Sequence, residues 1–203
     1  RIFRLGIGLF SGVQVNKLYL NVVGDPDFND MVIPLSVVAL DMNSGEEVVF
    51  ETGNVRLAVR ASLSIPGIFT PLAYDGRLLI DGSIADPVPV NPLVKRGADI
   101  IIAVNVTPSL QDSLQSLRTS GKHGELAVSR SPLLPVFDIA MRSLQSLQYE
   151  LSSMKTTQAS VHIKPDVGAV AWSEFFNADK LILKGKEATD AAIPQIQHLR
   201  WET

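Results

Sequence analysis

The chain has 203 residues, 46% hydrophobic and 19% charged, with a net charge of −3 at neutral pH. That is the composition of a globular chain long enough for one sizeable core, and it excludes a disordered chain. The acidic balance argues against a nucleic-acid face, and the lack of any cysteine excludes disulfides, thiolate metal sites and cysteine nucleophiles.

The three histidines, His123, His162 and His198, stand far apart, with no pair at metal-ligand spacing, so no metal or cofactor is expected. The longest apolar runs, 31–40 and 100–106, are too short for a bilayer span of about 20 residues. The chain opens on Arg1 without a signal peptide and reads as a fragment of a longer protein.

Residues 1–30 form a glycine-containing lead-in in which 13–20 fits a short helix or a short strand. Gly24-Asp25-Pro26-Asp27 is a turn cluster. Valine-rich segments at 35–41 and 46–51 flank Asn43-Ser44-Gly45 and read as a hairpin. Asn54 is a helix cap, with Leu57, Ala58, Ala61 and Ser62 as a buried face of mostly small residues, and Pro66 ends that helix. A second hairpin joins 69–74 to 77–80 through Asp75-Gly76 and delivers the chain to Asp81.

A proline-punctuated loop (Pro87, Pro89, Pro92) leads into a short helix at 90–96, ended by Gly97. The Ile/Val run 98–106 reads as a strand buried on both faces. Strand, short helix and buried strand suggest a parallel crossover, and so an α/β fold. Residues 107–135 read as a long, mobile loop. Phe137, Ala140, Met141, Leu144, Leu147, Leu151 and Met154 recur at helical steps as a core stripe, opposite Arg142, Gln145, Gln148 and Ser152. A short strand, Val161-His162-Ile163, ends at Pro165. Asn177 or Asp179 opens a last helix, which Gly185 interrupts and Pro194 closes.

A serine nucleophile on a Gly-x-Ser-x-Gly elbow is absent: the one glycine pair at that spacing, Gly8 and Gly12, flanks Phe10, with Ser11 one place off. Gly6, Gly8 and Gly12 could instead let backbone amides approach a pyrophosphate, with Asp25 or Asp27 as the ribose partner, so a nucleotide-binding α/β protein is one alternative. The acidic spacing at Asp41-Met42-Asn43-Ser44-Gly45-Glu46 is too short for a calcium loop and reads as the hairpin turn. Asp81 ends an apolar run, is followed by Gly82, and precedes the three stiffening prolines. Its plain reading is a turn-forming Asp; its functional reading is a carboxylate presented at a strand end, where sites of open α/β sheets gather.

Around Asp81 the residues resemble a family. Ala58-Val59-Arg60-Ala61-Ser62-Leu63-Ser64-Ile65-Pro66-Gly67-Ile68-Phe69-Thr70-Pro71 is similar to the Ala-x-x-Ala-Ser-x-x-x-Pro-x-x-Phe-x-Pro signature of patatin-like phospholipases. Asp81-Gly82-Ser83 stands where that family carries Asp-Gly-Gly or Asp-Gly-Ala, and Pro89 matches a following proline, with Asp86 in place of the usual Asn. Gly97–Val104 is similar to the strand that follows, and Ile33-Pro34-Leu35, Asp41 through Phe50, the long helix and Pro165-Asp166-Val167-Gly168 also fit the bacterial branch.

The resemblance implies a three-layer α/β/α fold around a mostly parallel sheet, with 1–203 as the C-terminal part of a single domain whose N-terminal part is missing. It implies a Ser–Asp dyad without a catalytic histidine, in which Asp81 is the base that takes the serine proton during attack on a lipid or other acyl ester. The oxyanion loop and nucleophile elbow of the family precede the matched region, so this chain alone is expected to be inactive. The apolar surface they leave uncovered is expected to self-associate or take a second chain. Transient contact with a membrane surface and a bacterial cytoplasmic or peripheral location follow as expectations, and no nucleic-acid partner does. The other alternative is a scaffold that kept the fold and lost the serine.

Overall fold

In the computed structural model the described residues are 8–10, 12–108, 133–168 and 178–199. They fall into two units, Arg1–Asp86 and Pro87–Thr203. The expected loop at 107–135 lies almost wholly outside the described residues, as do Gly6 and Asn177.

The first unit begins with strand β1 (Gly8–Phe10) and helix α1 (Gly12–Val23), so residues 13–20 are helical. Gly24 takes the left-handed conformation (φ 75°) that releases the chain from α1. Asp27 then caps a single 3-10 turn at Phe28–Asp30: its carboxylate accepts the Asn29 N–H at 3.0 Å, while Asp30 accepts the Asp27 N–H at 2.9 Å.

Strands β2 (Val37–Asp41) and β3 (Glu47–Phe50) form the first hairpin. Its turn is closed by Asp41, whose carboxylate accepts the Asn43 N–H and the Ser44 hydroxyl, each at 3.1 Å, with Gly45 at φ 73°. The Asn43 bond above all holds that carboxyl below the ordinary range. The acidic spacing here is thus a turn, as read. Helix α2 (Val55–Ser62) starts at Asn54, whose side chain accepts the Leu57 N–H at 3.0 Å. Short strand β4 (Gly67–Phe69) follows and pairs in parallel with β1. The second hairpin joins β5 (Leu72–Tyr74) to β6 (Arg77–Asp81) through Asp75 (φ 48°) and Gly76 (φ 71°). Two positive φ angles in succession make the turn whose twist matches the strands it joins.

The resulting four-stranded sheet has the order β3-β2-β6-β5. The chain is α/β, as expected, and among the described residues parallel pairing occurs between β1 and β4 and in a second pair in the other unit. In the four-stranded sheet tight turns join β2 to β3 and β5 to β6 as antiparallel neighbours, and β2 and β6 also pair antiparallel across the sheet's centre. Helix α2 lies on this sheet through small residues: Ala58 packs with Phe28 and Val55, and Ala61 with Ala39 and Leu79. Of the predicted buried face, Ala58 and Ala61 are fully buried, while Leu57 and Ser62 are only half-buried. The unexpected member of the buried set is Arg60.

The second unit contains α3 (Asn91–Lys95), β7 (Ile102–Val104), α4 (Leu133–Lys155), β8 (Val161–Ile163) and α5 (Ala178–His198). Gly97 follows α3 at φ 77°, as predicted. Strands β7 and β8 pair in parallel, with Ala103 opposite His162. The run 98–106 is buried on one face only: Ile101, Ala103 and Asn105 are inside, whereas Ile102, Val104 and Val106 are 39%, 51% and 59% exposed. Strand alternation sends those three to a face that no described residue of this unit covers.

Helix α4 also differs from its pattern. Leu147 and Met154 are exposed, and Ser152, assigned to the outer face, is fully buried. A polar knot explains the choice. Buried Asn105 donates to the Ser152 hydroxyl at 2.9 Å and accepts the Thr107 N–H at 2.9 Å, while the Thr107 hydroxyl bonds both. Satisfying a buried amide outweighs hiding one more leucine face. The side chain of Phe137 falls outside the described residues. Helix α5 runs unbroken through Gly185 and Pro194 to His198. Its residues are all at least partly exposed, so a helical Gly or Pro costs propensity without disturbing a packed layer.

The Asn54 cap gives a direct check on this local logic. Asn54→Ala is expected to lower stability by about 1 kcal/mol, read as a fall in the urea midpoint with an unchanged m-value.

Candidate functional site

Asp81 is the last residue of β6, and four separate constraints fix it. Its Cα is in register with Ala39 of β2. Its N–H donates to the carbonyl of Ser64, just past the end of α2, at 3.1 Å. Its carboxylate accepts the N–H of Ser83 at 2.8 Å and so caps the 3-10 turn Gly82–Ile84. The fourth constraint is Gly82, which is buried against β2: a Cβ built there would lie 2.4 Å from the Val38 carbonyl oxygen and 2.7 Å from its carbon. Both atoms are backbone, so the gap admits hydrogen alone.

The electrostatics of this carboxylate differ from those of Asp41. Asp81 is half-buried, and burial pushes its pKa above the ordinary carboxylate value, while the N–H and side chain of Ser83 pull it back. Among the described residues no cation contributes to the shift. The result is a carboxylate more basic than a solvated Asp and rigidly aimed, which are the two properties wanted of a general base.

The nearby hydroxyls do not complete a site. Ser64 is fully buried and spends its hydroxyl on the Arg60 carbonyl at 2.8 Å. Ser83 bonds the Asp81 carboxylate from two residues on, the ordinary arrangement of a cap. Of the glycine string, Gly8 sits in the β1 ladder opposite Gly67 and Gly12 opens α1, while Gly6 lies outside the described residues. Asp25, one proposed ribose partner, is engaged by Asn54 at 2.7 Å and Arg56 at 3.0 Å, and these contacts hold its carboxyl below the ordinary range.

Sequence reasoning missed Arg60. Its side chain is 1% exposed. One guanidinium nitrogen donates to the Ser64 hydroxyl, and the other to the Thr70 carbonyl at 2.6 Å and the Thr70 hydroxyl at 3.3 Å. Its Nε has no partner among the described residues. Burial lowers the Arg60 pKa, with Tyr19 acting in the opposite direction. No periodicity signals such a residue: Arg60 lies between the buried small residues and reads as a solvated flank.

Comparison with known proteins bears out the resemblance read from the motifs. The patatin-like phospholipase family model matches residues 1–94, a span that includes Asp81, Gly82 and the whole segment from Arg60 to Thr70. An uncharacterized NTE family protein of Mycobacterium bovis is 37% identical over 102 residues, covering 50% of this chain and 28% of that protein. Lysophospholipase NTE1 of Candida albicans is 27% identical over 194 residues, covering 89% of this chain and 14% of that protein. A second NTE family protein of M. bovis is 26% identical over 200 residues, covering 91% and 33%. The chain thus spans a third or less of the length of each of these relatives.

Two outcomes follow from this geometry. Gly82→Ala forces β6 away from Val38 and is expected to cost roughly 1–3 kcal/mol, measured by urea denaturation. Asp81→Asn is expected to raise stability at pH 7. A carboxyl whose folded pKa lies above its unfolded one stabilises most when protonated in both states, and that contribution is lost as pH rises through the folded value. Asn keeps the acceptor for the Ser83 N–H without the charge. The advantage of the variant should therefore shrink toward zero as pH falls to about 4, the ordinary Asp value; an equal difference at both pH values would contradict the assignment.

Proposed function

We propose that this chain carries the aspartate of a Ser–Asp dyad in a larger patatin-like acyl-ester hydrolase, and that Asp81 is that aspartate. The observation that supports this best is the pairing of raised basicity with rigid placement at the end of β6. The family match over residues 1–94 supports the same reading, and the name of the fungal relative favours a single-chain phospholipid as substrate.

In this scheme a serine outside these 203 residues attacks the ester carbonyl while Asp81 accepts its proton. The tetrahedral adduct collapses, the alcohol leaves with the proton, and a serine acyl-enzyme remains. Water then attacks the acyl group, Asp81 takes the water proton, and collapse returns that proton to serine and releases the acid. Backbone amides outside this chain would hold the oxyanion, each contributing on the order of 3 kcal/mol. No Gly-x-Ser-x-Gly occurs in the 203 residues, and on this reading the chain alone is inactive. Among the described residues no helix is long and apolar enough to cross a membrane; on this reading a lipid substrate would be met by transient contact at the membrane surface.

The test uses the full-length protein and a short-chain nitrophenyl ester. Asp81→Asn should lower kcat by at least about 100-fold in protein that unfolds no earlier than the wild type. Undiminished turnover would reject Asp81 as the base. Turnover by the 203-residue chain alone would reject the need for an external serine.

A further inference from the structure

Arg60 is an expensive residue to bury. Its guanidinium meets only neutral oxygens, those of Ser64 and Thr70, and no carboxylate pairs with it among the described residues. A buried cation without a counter-charge loses solvation that such contacts only partly return. An apolar side chain of similar volume would serve stability better, so the use of Arg60 lies in what it holds. It bridges the two ends of the 64–70 segment, which contains Pro66 and the left-handed Gly67 (φ 79°). One end of that segment is Ser64, which is locked at three points: its hydroxyl accepts from Arg60 and donates to the Arg60 carbonyl, and its N–H donates to Ala61 at 3.0 Å. Its carbonyl is the acceptor of the Asp81 N–H.

We propose that Arg60 is a positioning residue for Asp81 that acts through Ser64: the guanidinium fixes the Ser64 hydroxyl, and the Ser64 carbonyl fixes the backbone of Asp81. The assignment rests on the reading of Asp81 as the base. It concerns a residue that never touches substrate. The connection runs through the Ser64 hydroxyl and the Ser64 carbonyl, so the influence proposed is geometric. A displacement of about 1 Å at a catalytic group can cost on the order of 100-fold in rate, which leaves ample room for such an effect.

The test compares Arg60→Met and Arg60→Lys in the full-length protein by ester turnover and by hydrogen–deuterium exchange resolved to single amides. In Arg60→Met the Asp81 amide should exchange at least about tenfold faster while the Leu79 amide, two residues earlier in β6, keeps its protection. The same variant should lose about tenfold or more in kcat with KM within about twofold, the pattern of a misplaced group and not of lost substrate binding. Arg60→Lys, which can still donate to Ser64, should recover part of both. If Arg60→Met yields no folded protein, Ser64→Ala carries the same two readouts, because it deletes the hydroxyl that Arg60 holds and leaves the carbonyl. Wild-type exchange at Asp81, or a loss of protection spread evenly over β6 and α2, overturns the proposal. If exchange at Asp81 rises but kcat stays at the wild-type value, the catalytic part of the proposal falls. Retained activity in Asp81→Asn would sink the base reading on its own, whatever the exchange data show.

Discussion

Backbone contact between β6 and β2 at Gly82 is the constraint from which the rest of the first unit follows. A strand can present a carboxylate at its end only if the chain beyond it leaves in a fixed direction. Here the next residue has to pass within contact distance of the Val38 carbonyl, and nothing larger than hydrogen fits. That approach brings Ala39 opposite Asp81, and it lets the following 3-10 turn offer its Ser83 N–H to the carboxylate. The neighbouring layer obeys the same demand for closeness. Ala58 and Ala61 carry α2 low over the sheet, near enough for the chain leaving the helix to reach the Asp81 N–H.

Much of this was legible in the sequence, and the reasons are local. Asn43-Ser44-Gly45 and Asp75-Gly76 specify their turns by tolerance of positive φ, and Asn54 specifies its cap by a side chain that reaches an orphan N–H. Asp81 stood out because an apolar run ended on it and a glycine followed. What escaped was decided by partners distant in sequence. Burial of Arg60 depends on Thr70, burial of Ser152 on Asn105. The 98–106 run promised two covered faces from hydrophobicity alone, yet whether a face is covered depends on which neighbour arrives, and the run does not encode that. The raised basicity of Asp81 was equally out of reach, since it comes from desolvation and not from any charged residue nearby in sequence.

The two units are held together internally by different means. The first relies on small apolar residues meeting closely: Ala39, Ala61 and Leu79 are all fully buried. The second has a small apolar cluster, Val88, Val90, Ile101 and Ala103, and adds the knot of Asn105, Thr107 and Ser152 that fastens α4 to the end of β7. A fully satisfied polar knot fixes one geometry more sharply than apolar contact does, because its members lose their partners if the helix slides. The family match reaches only a few residues into that second unit, whereas the weaker likeness to the fungal lysophospholipase runs through most of the chain.

The parallel pairing of β1 with β4 has a consequence for how the chain folds. Gly8 meets Gly67, so the whole of α1, the first hairpin and α2 lie inside the loop that this ladder closes. The hairpins close over two to five residues each and demand little chain entropy. The β1–β4 ladder is therefore the late event of this unit, and during synthesis it cannot form until Phe69 has emerged. Until then β1 lacks its β4 partner, and the segment from Arg60 to Thr70 cannot have its final neighbours on both sides.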